Sequence, residues 1–475
     1  MSCVIITQIK MIMIMIMIMK GGVNIILKKM TFFILIIMVL LLATSNLIAF
    51  PYPPYQYSNG FDSQSTNQEA DNDFVLNQWN TWKSTYITTD GAQEYLRVQR
   101  PQNSYDTVSE GMGYGMLFSV YMDEQNTFDR LYSYVKLYQD GNALMDWRID
   151  SSGNVIGRGP ATDADEDIAL ALIFADKKWG GYSSEAMRVL DGAYRIFIES
   201  DTYLLKPGNW GGSDTTNISY YMPAAYRIFA DYTGQAGWMN VIDTCYEVIN
   251  RSRHSSTYLV PDWCTIDGTP SGGHGYNYYN DAVRTPWRIS IDYLWYGESR
   301  ASDFCAGITG FFNGIGAANI QNGYTLDGTY LGSGSHANIL YQSTAAVGAL
   351  SSNQSQFAKD CYNIVKNGQP VVGYYEDDLR LFSLLAITGN FPNLYTYNSS
   401  QTPGSTDPPP VTLGDVDSNG NINIIDALIL SQYYVGLNPP NFNPDAADVT
   451  RDGSINIVDA LVIAQCYVGL VSCSF

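Results

Sequence analysis

Between Asp71 and Tyr395 apolar residues recur every three or four positions and hardly anywhere at every second one, which confines most of the chain to helices. The first segment sets the pattern. Val75, Trp79, Trp82 and Tyr86 follow at spacings of four, three and four, one buried stripe of a single helix. Similar segments begin near Glu110, Thr127, Asp163, Ser184, Ser219, Trp238, Asp281, Ser302, Ser335, Gln354 and Asp377, separated by short Gly, Ser, Asn and Asp breaks. That makes about twelve helices, or six helical hairpins. A closed double ring and an open solenoid satisfy the same period, which by itself does not separate them. With 475 residues there is room for one such all-α domain, its core, and a second small domain.

The N-terminus is of another kind. Residues 1–49 carry four lysines and no acid, and run from Met30 into the apolar stretch Ile34 to Leu42 before Ala43, Ser45 and Ala49. This is the pattern of a secretory leader with cleavage near residues 45–50; an uncleaved anchor is the alternative, its apolar run being near the lower length limit of a membrane span. The alternating Met and Ile of residues 11–19 have no role in such a leader, so a start at Met19 or Met30 is expected. Losing the leader's four lysines leaves 22 basic against 46 acidic residues and moves the formal charge from −20 to −24. Nucleic acid is excluded as a partner by that balance, which suits a secreted, extracellular protein handling neutral polymers and divalent cations, off the membrane once the leader is cut. Six cysteines remain, Cys245, Cys264, Cys305, Cys361, Cys466 and Cys473. Their spacings match no disulfide framework and no zinc site, and buried thiols are the simpler expectation.

Residues 399–410 are rich in Pro, Ser and Thr and hold no apolar core residue, which marks a linker. The expected organisation is therefore a leader (1–49), an N-terminal extension (50–70), a helical domain (71–395), a linker (396–412) and a terminal domain (413–475). The terminal domain contains an internal repeat. Asp415, Asp417, Asn419, Asn423 and Asp426 occupy positions 1, 3, 5, 9 and 12 of a loop with Gly420 at position 6 and Asn421 at 7. Calcium needs this pattern, because several hard oxygens must converge on one ion and a glycine must turn the loop around it. Thirty-three residues later Asp448, Thr450, Asp452, Gly453, Ser454, Asn456 and Asp459 repeat it. Thr450 stands where an acid or amide is usual, and position 12 is Asp in both copies, so a weaker second site is expected.

This segment resembles the type I dockerin family, whose loop-and-helix repeats bind two structural calcium ions and dock on cohesin modules of a scaffolding protein. In that family loop positions 10 and 11 help choose the cohesin; here they are Ile424, Ile425, Ile457 and Val458. Ordinary core packing is the alternative use of four such apolar residues.

Three acidic clusters stand out in the helical domain. Glu110 lies among small residues at the start of a helix, in Ser109-Glu110-Gly111-Met112-Gly113. Asp163, Asp165, Glu166 and Asp167 crowd in front of the apolar run Ile168–Ala175. On a solvated helix N-terminus such acids would be caps or partners of the helix dipole, which accounts for Glu166 and Asp167; in a cleft their repulsion would split their pKa values into acid and base. Asp281 precedes Arg284 by one turn, among Tyr278, Tyr279 and Trp287, where the arginine could hold it ionised as a base or merely stabilise the helix.

Together with Asn217-Ile218-Ser219-Tyr220, Tyr375-Glu376-Asp377 and Thr388-Gly389-Asn390-Phe391, the three segments resemble glycoside hydrolase family 8. The resemblance implies an (α/α)6 barrel with an open groove and inverting hydrolysis without a cofactor. It matches Glu110 to the general acid, Asp281 to the general base and Asp163, ahead of Asp165, to the acid that positions the sugar at the scissile bond. Asn280 stands where relatives commonly carry Tyr. Trp147, Trp210 and Tyr375 are candidates for stacking on sugar faces, with Tyr220 and Arg284 beside the substrate. The expected activity is endo-hydrolysis of β-1,4-linked glucan, cellulose or mixed-linkage, on a cohesin-bearing scaffold. Xylan and chitosan are the alternative substrates, and a non-catalytic polysaccharide-binding subunit is the alternative class, against which the intact Glu110, Asp163 and Asp281 argue.

Overall fold

A computed structural model of the chain describes residues 50–52, 57, 59–60, 68–271, 275–352, 354–369 and 371–397, then 413–416, 422–437, 439, 442–451 and 453–467. The leader and most of the linker lie outside the described residues, as do Asp417, Asn419, Asn421 and Asp452 of the calcium loops. The chain divides into two compact units at Pro403/Gly404.

The first unit holds twelve α-helices among its described residues: α1 (Gln68–Tyr86), α2 (Ser109–Tyr121), α3 (Gln125–Leu137), α4 (Thr162–Trp179), α5 (Ser183–Phe197), α6 (Pro223–Thr233), α7 (Gly237–Ser252), α8 (Thr285–Tyr296), α9 (Ser299–Ile315), α10 (Asn338–Leu350), α11 (Ser355–Asn367) and α12 (Tyr374–Ile387). They alternate in character. The odd-numbered helices bury one stripe, as Val75, Trp79, Trp82 and Tyr86 do on α1. The even-numbered ones are buried over more of their surface: every residue of α2 but Glu110, and every one of α12 but Tyr375, with α6 the least covered. A helix apolar on all sides belongs inside, so the even helices form an inner ring and the odd helices an outer one.

Side chains across the last joint decide between ring and solenoid. Phe382 of α12 packs on Phe118 of α2 at 4.3 Å between ring centroids and on Trp287 of α8 at 4.6 Å, so the last inner helix touches the first and the ring is closed. Gly113 makes room for the approach of α2 to α4: a Cβ there would lie 3.0 Å from the Ala164 carbonyl and from Asp167 Cβ. The fold is all-α, an (α/α)6 barrel, with five short strands among the described residues as staples between helices. The pairing of β1 (Thr107–Val108) with β2 (Arg148–Ile149) brings Trp147 beside the start of α2, where Ser109 N–H donates to the Trp147 carbonyl at 3.0 Å.

The second unit is small and also helical. Helices α13 (Ile424–Tyr434) and α14 (Ile457–Tyr467) each follow one loop copy and share a core of Val416, Ala427, Leu430, Ala446, Ala447, Val449, Ala460 and Ile463. Of the cysteines, Cys245, Cys264, Cys305 and Cys361 are buried free thiols as expected, but Cys466 is disulfide-bonded. Among the described residues no helix is long and apolar enough to cross a membrane.

Candidate active site

The inner helices run in one sense, so their N-termini collect at one end of the ring. Glu110 opens α2, Asp163 opens α4, Ser219 and Tyr220 sit in a short turn before α6, Asp281 and Arg284 lie just ahead of α8, and Tyr374 and Tyr375 open α12. Acids far apart in the sequence thus meet at a cluster of helix N-termini, whose dipoles favour negative charge.

Arg284 is the hub. Its Nη1 donates to Glu110 Oε2 at 2.6 Å and to Asp163 Oδ2 at 2.9 Å, and its Nη2 donates to Asp281 Oδ1 at 2.7 Å. Ser219 Oγ accepts from Nη2 at 2.8 Å and donates in turn to Asn217 Oδ1. The guanidinium, 2% exposed, lies beneath the carboxylates, and its predicted link to Asp281 is one of three. The rings of Tyr220 and Tyr375 sit 5.1 and 5.9 Å from its Cζ.

Three carboxyl groups around one cation leave an excess of negative charge, which a proton on one of them relieves. Glu110 is the group placed to keep it. Burial pushes its pKa up, Arg284 opposes this and Asp163 adds to it, and the carboxyl ends at about 7. Tyr374 O–H donates to its other oxygen at 3.3 Å. Burial likewise raises Asp163, whose Oδ1 is buried without a hydrogen-bond partner among the described residues. Asp281 is the most exposed of the three, and its Oδ2 accepts from Trp263 Nε1–H at 2.9 Å. Asp165 points elsewhere, accepting the Met145 amide at 3.0 Å.

The expectation of a solvated helix end for Glu166 and Asp167 is overturned: both are buried, as are Asp163 and Asp165. The reason is tertiary. Because α4 is an inner helix, its first turns face neighbouring helices, and Arg288, one turn beyond Arg284, donates to Asp167 Oδ2 at 2.7 Å as a second layer of charge pairing. Trp147 and Trp210 are exposed, 40% and 46%, and are not core residues. Trp210 lies stacked on Trp263 at 5.7 Å, and Tyr220 meets the same indole edge-on at 6.1 Å. Asn280 uses its carbonyl to accept from Tyr375 O–H and its side chain to accept from Ser335 O–H. Sequence reasoning passed over Asp262, Trp263 and Tyr374. The first two form an isolated Asp-Trp pair inside a loop, with no period or spacing to mark them.

In the second unit the residues of the second loop fit a calcium ion. Asp459 Oδ1 accepts from Thr450 N–H and O–H, Thr450 Oγ1 also lies 3.3 Å from Asp448 Oδ1, and Asp448 Oδ2 accepts the Gly453 amide. Oxygens from positions 1, 3 and 12 therefore converge around the glycine turn, a hard-ligand set suited to calcium. In the first copy the described residues show Asp426 accepting the Asn423 amide and Asn423 accepting the Ile425 amide. Ile424, Ile425, Ile457 and Val458 are all exposed, so core packing is not their use.

A closed ring of helical hairpins holding two carboxyl groups on one arginine in contrasting environments, Glu110 raised by burial and Asp281 more exposed, is the equipment of a glycoside hydrolase. The chain belongs to glycosyl hydrolases family 8, whose model matches residues 56–389, and carries a dockerin type I domain at residues 413–466. Dockerins of this type bind calcium and cohesin modules. The chain is 46% identical over 403 residues to Endoglucanase C of Ruminiclostridium cellulolyticum, covering 82% of this chain and 85% of that protein. It is 43% identical over 412 residues to Endoglucanase A of Acetivibrio thermocellus, covering 82% and 86%. The apo structure of a beta-1,3-1,4-glucanase from Paenibacillus sp. X4 superimposes with a TM-score of 0.66 at 31% identity, covering 73% of this chain and 99% of that one.

Proposed function

We propose that the mature protein is a secreted, inverting endo-β-1,4-glucanase that joins a multi-enzyme scaffold through its dockerin. The observation that carries the mechanism is the Arg284 cluster, in which burial holds Glu110 up to about 7 while Asp281 keeps an arginine and an indole N–H on its two oxygens. Protonated Glu110 donates to the leaving glycosidic oxygen. Asp281 takes a proton from a water that attacks the anomeric carbon from the opposite face, which needs carboxyls about 6.5 to 9.5 Å apart. Asp163, whose Oδ1 is buried without a hydrogen-bond partner among the described residues, is the acid that would position the sugar at the scissile bond. Trp147 and Trp210 offer exposed apolar faces to pyranose rings, with Tyr220 and Tyr375 deeper beside Arg284.

The endoglucanase names of the relatives at 43–46% identity support β-1,4-glucan, and the similarity to a beta-1,3-1,4-glucanase supports mixed-linkage glucan as well. The dockerin holds two calcium ions, one in each loop. Calcium supplies charge neutralisation for the loop acids, so that Asp426 and Asp459 stay folded against their loop backbones. Ile424, Ile425, Ile457 and Val458 form the surface that meets the cohesin.

Hydrolysis of carboxymethylcellulose, lichenan, xylan and chitosan, with product anomers followed by NMR, tests the reading. Activity on the first two with initial α-anomers is expected. Initial β-anomers would remove the inverting assignment, preference for xylan or chitosan would change the substrate, and an inactive wild type would return the chain to the role of a binding subunit.

A further inference from the structure

Asp262 lies in the loop between α7 and the turn that carries Asp281, and the chemistry above makes no use of it. It is nonetheless 4% exposed, and its Oδ1 accepts three backbone amides, from Tyr279 at 3.1 Å, Asp281 at 3.1 Å and Ala282 at 2.8 Å. One carboxylate oxygen thus collects most of the free N–H groups of the turn that presents the proposed base. The backbone of Asp262 is tied to the same strap, its N–H donating to the Asn277 carbonyl at 2.9 Å. Gly275, at φ +149°, lets the loop close over the carboxyl, since a Cβ there would stand 3.1 Å from Asp262 Cβ and 3.2 Å from Oδ2. The neighbouring Trp263 then reaches Asp281 Oδ2, while Arg284 holds Oδ1.

An ordinary helix cap does not account for this arrangement. The three amides precede α8, which starts at Thr285, and one of them belongs to Asp281 itself. The placement also costs energy: burial and the nearby charge of Asp281 push Asp262 up to about 7, a penalty that a neutral acceptor would avoid. What the carboxyl supplies in return is a single acceptor that ties three amides of the turn to one point.

We propose that Asp262 is a positioning residue for catalysis, fixing the backbone of residues 279–282 so that Asp281, steadied by Trp263, faces the attacking water in one geometry. The inference rests on the reading of Asp281 as the base. It is tested in the full chain by measuring kcat and KM on lichenan, with melting curves, for Asp262→Ala, Asp262→Asn and Asp281→Asn. Misplacing a catalytic group by an ångström costs about 100-fold in rate, so Asp262→Ala should lower kcat by about that factor with KM within about threefold. Asp262→Asn keeps an acceptor oxygen and should recover to within about tenfold of wild type, a rescue that a role in stability alone would not produce in kcat per folded molecule. Should Asp262→Ala not accumulate folded, Asp262→Ser carries the same test of kcat against KM. A kcat within twofold of wild type for the alanine or serine variant, beside an inactive Asp281→Asn, overturns the positioning role alone. Full activity of Asp281→Asn overturns the base assignment itself.

Discussion

The two units of this chain both gather acids, but by opposite routes. In the second loop of the dockerin, Asp448, Thr450 and Asp459 meet within twelve residues of sequence, held by hydrogen bonds to the same short stretch of backbone. In the barrel, Glu110 and Asp163 meet Arg284 across sequence separations of 174 and 121 residues, and only the closed ring brings them together. A local site depends on its ion, whereas a distributed site depends on the packing of the whole domain. The difference teaches that removing calcium and removing a core charge should damage different halves of the molecule.

The largest effect is expected at the proposed acid and base. General acid–base catalysis contributes about 10² to 10⁴ in rate, so Glu110→Gln and Asp281→Asn should each lower kcat by that order while binding of oligosaccharide persists. Steady-state kinetics with isothermal titration checks this, and unchanged turnover in either variant would break the assignment. Next comes Arg284→Met. It leaves Asp163 buried without its cation, and losing one partner of a buried ion pair costs about 3–5 kcal/mol. The barrel's thermal transition should drop, with the dockerin transition unmoved.

Chelation is the mirror experiment. EDTA should abolish the helical circular dichroism of the isolated dockerin, because the loops fold around their ion, while leaving glucanase activity in place. A dockerin spectrum indifferent to chelator would erase the contrast between the units. The pH profile probes the barrel more finely. Glu110 donates only when protonated and its carboxyl is held up to about 7, so kcat/KM should be retained below that pH and fall as pH rises through it. An alkaline limb absent up to pH 9 would remove Glu110 from the acid's role. The smallest effect is reserved for Thr450→Asp. Adding a charged ligand to the second loop should tighten calcium binding there by about tenfold, read by titration calorimetry, with no change in hydrolysis.

Much of this was legible in the chain itself. The stripe from Val75 to Tyr86 and its successors foretold twelve helices because a 3.6-residue period is a local property. The calcium loops were legible for the same reason, their ligands being fixed by spacing within one turn of chain. Glu110 stood out by its small neighbours, Asp163 by its crowd of acids and Asp281 by its aromatics and Arg284, while their roles came from the family resemblance. Their common partner could not be picked out, since the sequence offers Arg284 as an i, i+3 neighbour of Asp281 beside the substrate and gives no sign of its bonds to Glu110 and Asp163. Glu166 and Asp167 were misjudged as solvated because burial of a helix N-terminus is decided by which helices cover it. Asp262 left no trace because a single acid in a loop has no pattern until its three amides arrive.

The sequence by itself determined the helices, their apolar faces, the repeat and the residue types from which a hydrolase and a calcium-binding dockerin could be made. The tertiary structure alone closes the ring through Phe118 and Phe382, gathers three acids on one arginine, and buries Glu110 so that its carboxyl rises to about 7. The physical reason is range. Backbone periodicity and loop geometry act between neighbours in the chain, while desolvation and charge coupling act between neighbours in space.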